Sequence, residues 1–126
     1  MITHKTHLGT IQIASEAVAS LAEQAVLQSY GVVGLADRNR FEAWRRGLRR
    51  SGQGHKGILV EVTEEGVIID LYLVVEYGTR ISEVARGVIH RVKYIVEKAL
   101  GLPVLAVNVH VQALRVSTPN GGEAQA

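Results

Sequence analysis

Cysteine is absent from this 126-residue chain. Neither a disulfide framework nor a thiolate metal site is therefore available, which suits a reducing cytosol. Proline occurs only twice, at Pro103 and Pro119, so few positions in the chain are barred from helix or strand by this residue. No apolar run approaches the roughly 18 residues needed to cross a bilayer. The first seven residues, Met1-Ile2-Thr3-His4-Lys5-Thr6-His7, have no apolar core of the kind a signal peptide carries. The expectation is a cytoplasmic protein, or one peripheral to the inner face of the membrane.

What is present is ordinary globular material. Hydrophobic residues make up 47% and charged residues 21%, which is enough for one sizeable core and leaves little room for a second. The net charge of +2 is unevenly spread. Residues 37–56 hold Arg38, Arg40, Arg45, Arg46, Arg49, Arg50 and Lys56 against Asp37 and Glu42, a local +5, which leaves −3 for the rest. The chain is a mildly acidic body bearing one cationic stretch.

Hydrophobic spacing marks the elements. Residues 8–13 alternate as a short strand. Ser15 offers an N-cap hydroxyl and Glu16 suits the positive end of a helix. Val18, Leu21, Ala22, Ala25 and Val26 then recur at helical spacing towards Tyr30 and Gly31, and residues 32–35 read as a strand. From residue 37 to 57 the periodicity weakens, although Phe41, Trp44 and Leu48 suit a short amphipathic helix. Residues 58–63 and 67–77 form a hairpin around Glu64-Glu65-Gly66. On its return strand Val67, Ile69, Leu71, Leu73 and Val75 share one face; Ile68, Asp70, Tyr72, Val74 and Glu76 share the other. Ser82 is placed to cap a second helix, which buries Val84, Ala85, Val88, Ile89, Val92, Ile95, Val96 and Ala99 and ends at Leu100 before Gly101 and Pro103. A last strand, residues 104–116, turns Leu105, Val107, Val109 and Val111 one way and Asn108, His110 and Gln112 the other.

These elements give an α+β two-layer sandwich, with two long helices packed on one face of a mixed β-sheet in the order β-α-β-β-β-α-β. Residues 1–7 are expected as a flexible N-terminus, 8–116 as a single domain carrying a basic insertion at 37–57, and 117–126 as a disordered tail.

The chemical motifs fail one by one. Gly52-Gln53-Gly54-His55-Lys56-Gly57 matches G-x-G-x-x-G literally, yet it follows an arginine-rich stretch and leads into a strand, the reverse of a dinucleotide loop. His4 and His7 lack a third ligand nearby, and His55, His90 and His110 are scattered over different elements, short of the three or four ligands zinc takes. Asp70 and Glu76 share a face but stand about 20 Å apart along one strand, too far to act together. No serine has a nucleophile-elbow context. No catalytic residue, metal, cofactor or small-molecule substrate is expected.

Binding surfaces remain. Arg38, Arg40, Trp44, Arg45, Arg46, Arg49 and Arg50 are candidates for contact with an anionic surface or a partner. At about 1 kcal/mol per cation near an anionic membrane, four or five arginines give near-millimolar binding, so useful avidity calls for self-association or a second partner. The alternative is a nucleic-acid module using the same 38–50 segment, because the sheet face around Tyr72 carries Asp70 and Glu76, which repel phosphate. Ile68, Tyr72 and Val74 on that face are candidates for an oligomer surface.

Gly31-Val32-Val33-Gly34-Leu35, then Ile69-Asp70-Leu71-Tyr72-Leu73-Val74-Val75-Glu76-Tyr77-Gly78 and Ile81-Ser82-Glu83-Val84-Ala85, carry a resemblance. It continues through Val92-Lys93-Tyr94, Gly101-Leu102-Pro103-Val104 and Val107-Asn108-Val109-His110-Val111-Gln112. This ordered set, covering roughly residues 8–116, resembles the alkaline shock protein family of envelope stress response proteins, in its small stand-alone branch. The resemblance implies a bacterial, non-enzymatic, cytosolic interaction protein that self-assembles into a homo-oligomer and reaches the membrane through a partner. Genes of the small branch often neighbour a dihydroxyacetone-kinase-like protein, which implies a lipid-metabolism partner. The family offers no catalytic residue to carry over, and its variable stretch coincides with the basic insertion.

Overall fold

The computed structural model describes residues 2–36 and 57–116. Six strands and two helices lie among them, namely β1 (Ile2–Thr6), β2 (Gly9–Ile13), α1 (Ser15–Leu27), β3 (Val32–Leu35), β4 (Ile58–Val62), β5 (Val67–Glu76), α2 (Ile81–Leu100) and β6 (Val104–Arg115). The α+β class, with both helices against one face of a mixed sheet, is as the periodicities indicate.

β5 is the spine of the main sheet. β6 runs parallel to it from Val67↔Val104 to Glu76↔Arg115 and so occupies one edge along its whole length. A parallel pair needs a crossover, and α2 supplies it. β4 and β3 both pair antiparallel with β5, β4 over Val67–Leu71 and β3 over Leu73–Val75, so they share the other edge end to end.

The inward face of β5, Val67, Ile69, Leu71, Leu73 and Val75, is fully buried. Val18, Ala22, Ala25 and Val26 of α1 and Val84, Val88, Val92 and Val96 of α2 close over it in one cluster. The i, i+4 spacing of the α2 valines drifts around the helix, which leaves Ala99 exposed, outside the stripe to which the spacing assigned it. Leu105 is also exposed, because the β5–β6 register skips it and turns it out of the alternation.

Residues 2–6 pair antiparallel with β2 from Ile2↔Ile13 to Thr6↔Gly9, adding a strand at the start of the order. Two local expectations are corrected. Neither Ser15 nor Ser82 caps its helix. The first turns close one and two residues earlier on the carbonyls of Ala14 and Arg80, which accept from Val18 and Val84, and no side chain caps either end. α1 stops at Leu27, short of Tyr30, where the Ser29 hydroxyl donates to the Ala25 carbonyl at 2.9 Å and competes with the helix ladder. α2 ends as expected, on Gly101 at φ +74 with its N–H donating to the Glu97 carbonyl. The basic insertion 37–56 and the tail 117–126 lie outside the described residues.

Candidate interaction surfaces

The sheet face away from the helices is built by β5 and β6. In-register parallel strands put Asp70 beside Asn108 and Tyr72 beside His110, with all four side chains on this face. The Asp70 carboxylate oxygen Oδ1 accepts from Asn108 Nδ2 at 3.0 Å and lies 3.3 Å from His110 Nε2. The His110 ring stacks on the Tyr72 ring, with centroids 4.4 Å apart and planes 10° from parallel. Asp70 therefore orients an imidazole whose flat side covers a tyrosine that is only 9% exposed. Of the candidate oligomer residues, Ile68 and Val74 are half-buried and Tyr72 is buried; Leu59, opposite Asp70 on β4, is exposed.

Tyr72 has a second role through its backbone. Its carbonyl accepts from the Ala36 N–H at 2.7 Å, and its N–H donates to the Gly57 carbonyl at 2.9 Å. Ala36 follows β3 and Gly57 precedes β4, so one residue of β5 holds both ends of the basic insertion. Gly57 has φ +75, a conformation that favours glycine, and a Cβ there would lie 2.6 Å from the Ala36 carbonyl oxygen. Arg38, Arg40, Trp44, Arg45, Arg46, Arg49 and Arg50 lie outside the described residues; the residues that flank their segment, Ala36 and Gly57, are both bonded to the Tyr72 backbone.

A third surface lies at the far end of β5 and was missed by periodicity. The Glu76 N–H donates to the Gly31 carbonyl, and the Tyr77 N–H donates to the Arg115 carbonyl, both at 2.9 Å. Gly31 also lies against the start of α2, where a Cβ would meet the Val84 side chain at 2.5 Å. These ties gather Tyr30, Tyr77, Ile81, Leu114 and Val116 at one end of the sheet, all exposed; Tyr30 is 81% and Tyr77 63% accessible. The available signal was a tyrosine at the limit of each of two apolar elements, without the strand pairing that brings them together.

At the opposite end, Glu97 of α2 ties the helix to the sheet. Its Oε2 accepts from the Val104 N–H at 2.9 Å and from Lys93 Nζ at 3.0 Å. The backbone hydrogen bond from Val104, then the bond from Lys93, hold its carboxyl below the usual glutamate range. Among the described residues no group of three or more His, Asp or Glu side chains is placed to hold a metal ion. None of the described helices is long and apolar enough to cross a membrane.

The fold and these surfaces define a small α+β protein whose two helices cover one face of a mixed sheet and whose other face carries a hydrogen-bonded, stacked side-chain cluster. The chain belongs to the alkaline shock protein 23 family, described by its cell envelope-related function, whose profile matches residues 3–116. It is 39% identical over 115 residues to the protein YloU of Bacillus subtilis (strain 168), covering 91% of this chain and 96% of YloU. It is 34% identical over 112 residues to Spy1614 of Streptococcus pyogenes serotype M6, covering 89% and 93%. Among solved structures, MamM-CTD 215-293 is similar at 15% identity and a TM-score of 0.49, covering 79% of this chain and 99% of that one.

Proposed function

We propose that the protein is a non-catalytic interaction protein of the bacterial envelope stress response, which self-associates and is recruited to the membrane by a protein partner. The observation that carries this reading is the exposed apolar end formed by Tyr30, Tyr77, Ile81, Leu114 and Val116. Tyrosines at this exposure contribute large contact area with little side-chain entropy to lose, as in protein-binding patches. Two ionisable groups of the sheet face support the same reading. Asp70 and His110 are engaged with each other and with Asn108 and Tyr72, an arrangement that stiffens a surface.

The test is co-sedimentation with inverted membrane vesicles from a bacterium that carries this protein, before and after protease treatment of the vesicles. Binding to untreated vesicles is expected, with loss after proteolysis and after the double substitution Tyr30→Ser, Tyr77→Ser. Equal binding to protease-treated vesicles, or to protein-free phosphatidylglycerol vesicles, overturns recruitment by a protein.

A further inference from the structure

Among the described residues, β5 has strands on both edges, whereas β6 has one on its β5 side only. A strand edge presents a row of N–H and C=O groups that another strand can pair with, and proteins commonly protect such edges with charge, proline or bulges. β6 carries no Lys, Arg, Asp, Glu or Pro from Val104 to Leu114. Its register with β5 skips a residue at Leu105 and again at Gln112. These two register shifts bracket six regular residues, with Ala106, Asn108 and His110 on the open face and Val107, Val109 and Val111 on the helix face. The other margin of the sheet is unlike this one. It is split between β3, which has its own irregularity between Val32 and Gly34, and β4, which presents Glu61 to solvent.

We propose that a second copy of this chain docks on this edge, β6 against β6, antiparallel about a two-fold axis through Val109. The proposal rests on the self-association proposed above and assigns it a surface. The chemistry of β6 selects its own copy as the occupant. Directly opposed residues of an antiparallel pair share a face, so a strand that pairs with itself must have its axis on a residue. An axis on Val109 opposes Val107 to the second copy's Val111, and Asn108 to the second copy's His110. Apolar side chains then meet on the helix side, hydrogen-bonding ones meet on the open side, and no like charges are opposed. His110 is already held by Asp70 of its own chain, so its imidazole enters the pairing oriented. The contact is isologous, so it closes at two copies and joins the two sheets into one.

The chain has no cysteine, so a single introduced thiol reports unambiguously. Opposed Cα atoms of an antiparallel pair lie about 4.5–5.5 Å apart, within disulfide range. The experiment combines the solution mass of the wild type, by sedimentation equilibrium, with oxidation of Val109→Cys and of Leu59→Cys on β4, each checked for native circular dichroism. A dimeric wild type, with a disulfide-linked dimer for Val109→Cys and none for Leu59→Cys, is the expected result. A dimer or larger assembly in which Val109→Cys stays unlinked overturns the β6 edge while leaving self-association standing. A monomer at every concentration overturns both.

Discussion

Gly57 approaches Ala36 so closely that a Cβ on Gly57 would lie 2.6 Å from the Ala36 carbonyl oxygen. This contact forms where the chain re-enters the sheet, and the Tyr72 backbone bonds to both residues. Gly57→Ala is expected to lower stability by about 2 kcal/mol or more, because the left-handed conformation alone costs an L-residue about 1–2 kcal/mol and the backbone contact adds to it. A lower urea midpoint at unchanged slope is the signature. A midpoint equal to that of the wild type contradicts the contact.

The stack of Tyr72 on His110 makes a coupling prediction. Tyr72→Ala is expected to cost about 3 kcal/mol, as truncation of a buried aromatic does. A double-mutant cycle with His110→Ala should give a coupling of about 0.5–1.5 kcal/mol. Additive effects in the same unfolding measurements would mean that the rings do not support each other.

The hydrogen bonds that Glu97 accepts from Val104 and Lys93 are expected to make the attachment of α2 to β6 sensitive to acid. Its carboxyl titrates below the usual range because Val104 and Lys93 stabilise the charged form. A group with a depressed folded-state pKa contributes stability that is fully present above its unfolded-state value and is lost as pH falls through the folded value. Glu97→Gln is therefore expected to be less stable than the wild type at neutral pH, with the difference shrinking in the acid range. A difference that stays constant down to acid pH would show that the Glu97 charge is not what Val104 and Lys93 recognise.

The cationic segment separates the interaction reading from the nucleic-acid one. Four arginines at about 1 kcal/mol each give only near-millimolar affinity for anionic lipid, and replacing Arg45, Arg46, Arg49 and Arg50 with Gln should remove that binding while leaving circular dichroism unchanged. Submicromolar binding to RNA, weakening steeply with salt and lost in the same variant, would favour a nucleic-acid module instead.

The elements were legible wherever one apolar face alternates with a polar one. β5 announced itself through five inward apolar residues and α2 through its valine stripe. β1 did not, because residues 3–6 are all exposed and bury no alternating face to read. The helix starts are not legible in this way, because serines stand near them while the chain turns on the carbonyls of Ala14 and Arg80. At the candidate surfaces, Asp70 and Tyr72 were placed on the correct face of β5 and Asn108 and His110 on one face of β6. Their meeting depends on the parallel β5–β6 register, a long-range pairing that local spacing does not encode. The Tyr30–Tyr77 end was hidden for the same reason.

The end-to-end sharing of one β5 edge by β3 and β4 also bears on how this protein can diversify. Everything between Ala36 and Gly57 is spliced into a seam whose two lips are held by a single residue. The cost of closing such a loop rises only by about 0.6 kcal/mol for each doubling of its length. A change in the length or charge of that segment is therefore compatible with every strand pair of the sheet staying in register, so the segment can vary on a scaffold that does not refold.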